Sequence, residues 1–106
     1  MEEKKLPWGK LWIIGESPEF DVVSEIVEPG KALPLCYYNK RTVLIYILDG
    51  EGKCLDGTVR KGDLLKFGPG EKHELVNTTD KDLSFIYICI PPHEDGDFIQ
   101  VKKNGD

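Results

Sequence analysis

The chain has 106 residues, 40% of them hydrophobic and 31% charged, which suits one domain of about 100 to 150 residues and excludes disordered, collagen-like and coiled-coil classes. Nineteen acidic residues against fourteen basic ones leave a formal charge of −5, and without a Lys/Arg stripe this opposes binding to a phosphate backbone, so nucleic acid is not an expected partner. The longest apolar run, residues 83–90, contains Ser84 and falls far short of the roughly 20 residues that a membrane helix requires, so no membrane association is expected either.

The first residues lack the charged-then-apolar order of a secretory leader, which makes the cytoplasm the expected compartment. Cys36, Cys54 and Cys89 are an odd, widely spaced set without a Cys-x-x-Cys pair, so reduced thiols are expected rather than disulfides or a structural zinc cluster.

Nine short runs rich in Val, Ile, Leu, Tyr and Phe follow one another at residues 11–14, 20–27, 32–38, 42–48, 53–55, 58–60, 64–67, 73–76 and 83–90. Each reads as a strand. Between them stand turn formers, among them Pro29-Gly30, Asp49-Gly50, Lys61-Gly62 and Gly68-Pro69-Gly70. No stretch of eleven or more residues carries an uninterrupted helical stripe, so helix content should be very low. Asp56-Gly57 predicts a two-residue hairpin turn, because a type I′ turn needs positive φ at both central positions. Many short strands without helical crossovers predict an all-β, antiparallel jelly-roll or small barrel as a single domain. The barrel should occupy roughly residues 8–92, with a polar C-terminal strap at 93–106 that is ordered at first and frayed at its end.

Residues 62–77 contain Gly62, Gly70, His73 and Asn77 at spacings that resemble the second motif of the cupin superfamily, which is a glycine, five residues, Pro-x-Gly, two residues, histidine, three residues and asparagine. Gly68 replaces the motif proline and Pro69 follows it. The first cupin motif runs glycine, five residues, His-x-His, three or four residues, glutamate, six residues, glycine. Counted from Gly30 it reaches Cys36, Tyr38, Val43 and Gly50, so only its glycines match. The two motifs together imply a jelly-roll or cupin barrel with the His73 side chain directed inside. Pro7-Trp8-Gly9 and the run at 91–99 are loosely similar to the flanks of type II mannose-6-phosphate isomerase barrels, which would imply sugar-phosphate isomerisation with a metal holding the open-chain sugar.

A divalent metal site needs about three imidazole, thiolate or carboxylate donors. The motif positions offer Cys36 and His73, with Tyr38 beside them and Val43 where the carboxylate would be. No cofactor is therefore expected, and any metal would rest on Cys36 and His73. Cys36 also reads as a small buried hydrophobe. His73 can serve as a hydrogen-bonded cavity histidine, a general base or a ligand, and Tyr38 can line the pocket, donate to a hydroxyl or act as an acid. Arg41 and its neighbour Lys40 can meet a phosphate or carboxylate, or cover a solvated turn. Trp8 and Trp12 suit either a dimer interface or a lid over one barrel end. Glu94, Asp95 and Asp97 read as a solvated loop rather than a calcium site.

These residues lead to a small-molecule binding protein with a degenerate metal site, its ligand polar and sugar-like molecules included. Cys36, Tyr38, Val43, His73 and Arg41 are its candidate binding residues. The competing reading is an isomerase, either sugar-phosphate isomerase-like or metal-free and catalysed by His73 and Tyr38. A structural pairing module is a third, and the cupin resemblance implies a homodimer in every case.

Overall fold

A computed structural model describes residues 2–55 and 57–102. Its strands are β1 (Glu3–Leu6), β2 (Gly9–Glu16), β3 (Asp21–Val27), β4 (Ala32–Tyr38), β5 (Thr42–Asp49), β6 (Glu51–Cys54), β7 (Gly57–Arg60), β8 (Leu64–Phe67), β9 (His73–Val76), β10 (Leu83–Ile90) and β11 (Phe98–Gln100). They form a six-stranded sheet in the order β1-β2-β3-β10-β5-β8 and a five-stranded sheet in the order β11-β4-β9-β6-β7. Every pairing is antiparallel. The all-β jelly roll expected from the strand spacing is the architecture observed. Among the described residues the only helical segment is a single 3-10 turn at Asp95–Asp97.

Side-chain alternation builds the core. In β5 the buried Val43, Ile45 and Ile47 point inward, and in β10 Leu83, Phe85, Tyr87 and Cys89 do the same. Ile45 lies opposite Tyr87 and Ile47 opposite Phe85, so one row of buried side chains crosses two central strands. The same parity turns Val23, Glu25 and Val27 of β3 inward, with Glu25 paired to Phe85 on one side and Leu11 on the other.

The motif glycines are structural punctuation. Gly30, Gly50, Gly62 and Gly70 all hold positive φ, between 76° and 94°, a region that other residues adopt only with strain. At Gly50 a Cβ would also fall 2.6 Å from the Asp82 carbonyl oxygen. Asn77, buried at the end of the second motif, donates Nδ2 to the carbonyls of Val27 and Lys81 and accepts at Oδ1 from Thr79.

Two strands fall outside the range 8–92. β1 is mostly exposed and polar, so no alternation announces it, yet it pairs with β2 as a sheet edge. The strap supplies β11, which pairs with β4 by setting Phe98 opposite Tyr38. β6 and β7 form the expected hairpin with Cys54 opposite Gly57. Asp56, on which the expected turn rests, lies outside the described residues, as do residues 103–106 at the expected frayed end.

Candidate functional site

A cavity of about 370 Å³ opens between the sheets, bounded by β1, β2, β3 and β10 of the larger sheet on one side and by β4 and the strap on the other. Its walls include Leu6, Trp8, Val23, Leu33 and Phe98, with Glu25, Tyr38 and Tyr87 as polar groups inside and Glu16, Asp21, His93 and Asp95 also in its lining. This mixture of apolar surface and a few placed polar groups is the usual make-up of a small-molecule site.

Of the residues singled out from the motifs, only Tyr38 lines the cavity. Cys36, Val43 and His73 are buried behind its wall. His73 stacks on Phe67 with ring centroids 4.9 Å apart, and its Nε2 lies 3.0 Å from Tyr87 Oη and 3.4 Å from Cys36 Sγ. Tyr87, itself a lining residue, therefore links His73 to the cavity. Burial lowers the His73 pKa, opposed in part by the nearby Glu71 backbone, and its Nδ1 is buried without a hydrogen bond.

Cys36 and His73 do not assemble a metal site. Burial, reinforced by the charges of Glu25 and Glu74, pushes the Cys36 thiol up to about 12. Val43 offers no donor atom, and among the described residues no group of three or more His, Cys, Asp or Glu side chains converges. The donor set is too small for the divalent ion that the motif resemblance implies.

Arg41 is already engaged. Its Nε donates to the Pro92 carbonyl at 2.7 Å, Nη1 to Asp97 Oδ2 at 2.8 Å and Nη2 to Glu94 Oε2 at 2.9 Å. Asp97 also accepts from the Lys40 amide at 3.0 Å. Asp97 is thus buried in a clamp on Arg41 that the exposed Glu94 completes, while the Asp95 carboxyl is solvated as expected. The clamp draws His93 onto Tyr38, where Tyr38 Oη and His93 Nδ1 are 2.6 Å apart, with Asp95 Oδ1 2.7 Å from His93 Nε2. A carboxylate only accepts, so Nε2 carries the hydrogen, and in the neutral ring Nδ1 receives the Tyr38 hydroxyl. Burial raises the Tyr38 pKa, keeping it a hydrogen-bond donor.

Glu25 is the lining residue that motif reasoning missed. It is 4% exposed, accepts at Oε2 from Trp8 Nε1 at 2.9 Å, and burial raises its pKa to about 7 despite that bond. The signal was available in its parity, since an acidic residue stands at an inward position between Val23 and Val27. Trp8 lines the cavity and supports this carboxyl. Trp12 stands apart from it, with Lys10 Nζ 5.4 Å from its ring centre.

Similar folds occur in several solved structures. KdgF from Halomonas sp. has a TM-score of 0.79 at 16% identity, with 91% of each chain covered. An uncharacterized conserved protein with a double-stranded β-helix domain from Klebsiella pneumoniae has a TM-score of 0.75 at 19% identity, covering 86% of this chain and 82% of that one. Lactobacillus farciminis oxalate decarboxylase, in its formate complex, has a TM-score of 0.78 at 18% identity, and the present chain covers 33% of its length. At these identities the likeness is one of fold. No curated protein sequence matches the chain. The Cupin domain family model matches residues 23–90, most of the chain, and its span takes in both the glycine punctuation and the inward row around Glu25, so the chain belongs to the cupin domain family.

Proposed function

We propose that the chain is a binding protein for a small polar organic molecule, held in the cavity among Trp8, Glu25, Tyr38, Tyr87 and Phe98. The observation that carries this reading is the cavity itself, about 370 Å³ left unfilled by side chains in so small a domain. Anionic ligands such as sugar phosphates suit it poorly. Glu16, Asp21, Glu25 and Asp95 line the cavity against two basic residues, Lys4 and His93, and Arg41 is held by Asp97 and Glu94. Neutral hydroxylated molecules, sugars among them, and cationic ones remain.

Thermal shift and Trp8 fluorescence, read against millimolar sugars, sugar phosphates, amines and carboxylates, test the proposal. Stabilisation by neutral or cationic compounds, lost when Val23→Phe fills the cavity, is the expected result. A protein that responds to none of them sinks it.

A second reading, acid–base catalysis without a metal, is favoured by one observation: Glu25 has a pKa of about 7 in the same cavity as the Tyr38 hydroxyl. A group titrating near the working pH is suited to proton transfer. In this reading Glu25 replaces His73 as the base, because His73 lies behind Tyr87. Incorporation of solvent deuterium into a bound carbonyl compound, abolished by Glu25→Gln, would establish it.

The partner proposed for the outer face of the larger sheet is a second copy of the chain. Ile86 lies opposite Tyr46 and Ile88 opposite Leu44 and Val22, while Tyr46 also lies opposite Leu64, so an apolar surface runs across four neighbouring strands. Its members Tyr46 and Leu64 are 43% and 64% exposed. No helix among the described residues is long and apolar enough to cross a membrane. Three free thiols suit a reducing compartment, and the cytoplasm is the location we propose.

A further inference from the structure

We propose that the ligand of this cavity is a small organic cation, a protonated or quaternary amine, whose nitrogen sits against the Glu25 carboxylate among the rings of Trp8, Tyr38, Tyr87 and Phe98. The inference rests on the binding reading above and names its ligand class.

Three observations converge on it. The first is an incompletely matched carboxyl. Glu25 is 4% exposed and its Oε2 receives the Trp8 indole, but among the described residues none donates to Oε1 and no Lys, Arg or His forms an ion pair with the carboxyl. A buried carboxylate without a cation is unfavourable, and a cation delivered by a ligand removes that penalty. The second is the wall, because aromatic rings attract alkylammonium groups through their quadrupoles while shielding them from water. The third is the field of the exposed lining, where Glu16, Asp21 and Asp95 outnumber Lys4 and His93 and favour entry of positive charge.

The groups that surround Glu25 fix the pH behaviour. They are Lys4 from β1, Glu16 from β2, Asp21 from its own strand, Cys36 and Tyr38 from β4, Tyr87 and Cys89 from β10, and His93 and Asp95 from the strap. Cys36, Tyr38, Tyr87 and Cys89 all have raised pKa values and are uncharged near neutrality. Glu25, with a pKa of about 7, is therefore the buried wall group whose ionisation changes there. A cation binds its ionised form, so binding releases a proton below that pH and tightens as pH rises, by about tenfold per unit until Glu25 is ionised in the free protein.

The test uses titration calorimetry on the full chain with tetramethylammonium, choline and primary amines, each beside an uncharged isostere such as 3,3-dimethylbutan-1-ol for choline, and with glucose as a neutral hydroxylated probe. The expected result is at least tenfold preference for a cation over its isostere, with affinity that rises from pH 5.5 to about 7 and then levels. Glu25→Gln, whose amide oxygen can still accept from Trp8, should remove both the preference and the pH dependence while leaving the near-ultraviolet circular dichroism intact. Equal affinity for cation and isostere, binding of glucose without binding of any amine, or a charge preference that survives Glu25→Gln overturns the cation inference and leaves the binding protein standing. No binding of any probe overturns both.

Discussion

The indole Nε1–H of Trp8 donates to Glu25 Oε2 across 2.9 Å, joining the segment between β1 and β2 to a buried carboxyl on the inward face of β3. That bond only partly offsets burial, and the Glu25 pKa rises from 4.5 to about 7. Because the folded pKa is the higher one, the folded chain takes up a proton between these values. The associated stability is complete below about pH 4.5 and is lost as pH rises through about 7, a change of about 3 kcal/mol. Glu25→Gln cannot ionise, so it should match the parent near pH 4.5 and exceed it by about 3 kcal/mol at pH 8 in urea unfolding. A difference that stays constant with pH would contradict the assignment.

Arg41 and Asp97 form a buried ion pair at 2.8 Å that holds the strap against the β4–β5 turn. Burial works to raise the Asp97 pKa, but its bonds from Arg41 and the Lys40 amide outweigh this and hold the carboxyl below 3.8. Its contribution is therefore present above pH 3.8 and is lost as pH falls through the lowered value. Asp97→Asn and Arg41→Met should each lower the melting temperature well beyond the effect of Glu28→Gln, which breaks the exposed Lys31–Glu28 pair. Limited proteolysis should then cut near residues 92–97 in the two strap variants and spare the Glu28 variant.

Thiol reactivity should divide sharply. Cys36 is pushed up to about 12, by burial first and then by the charges of Glu25 and Glu74, and Cys89 to about 11, by burial first and then by Asp21. Cys54 is only partly buried, at the end of β6. Iodoacetamide at pH 8 should add one label to the native chain, at Cys54, and three in urea, as read by intact mass and peptide mapping. Rapid native labelling of Cys36 would show that the wall behind the cavity opens.

The apolar outer face predicts self-association. Light scattering should give a dimer for the parent chain and a monomer for Tyr46→Lys combined with Ile88→Lys, since two charges there must be desolvated on pairing. Thermal stability of the monomeric variant should change little if the fold does not depend on pairing. A monomeric parent would remove the second copy as the partner of this face.

Much of the architecture was legible because it is written in local rules. Glycines at positions 30, 50, 62 and 70 mark reversals that require positive φ, and alternating apolar residues in β5 and β10 mark the buried face. The same rule applied to β3 would have found Glu25. β1 escaped notice because an exposed edge strand has no buried face to impose alternation. The site was less legible, since motif spacing led to Cys36, Val43 and His73, which do not line the cavity, whereas Tyr87 does and lies 3.0 Å from His73.

By itself the sequence determined nine of the eleven strands and the glycine turns between them, because turn conformation and side-chain parity depend on neighbours within a few residues. Tertiary structure alone decided that His93 meets Tyr38, 55 residues away, that Arg41 spends its charge on Asp97, 56 residues away, and that Trp8 supports Glu25 from 17 residues off. Those partnerships, and the cavity they border, depend on which side chains of two different sheets arrive at the same place. No local pattern encodes that meeting.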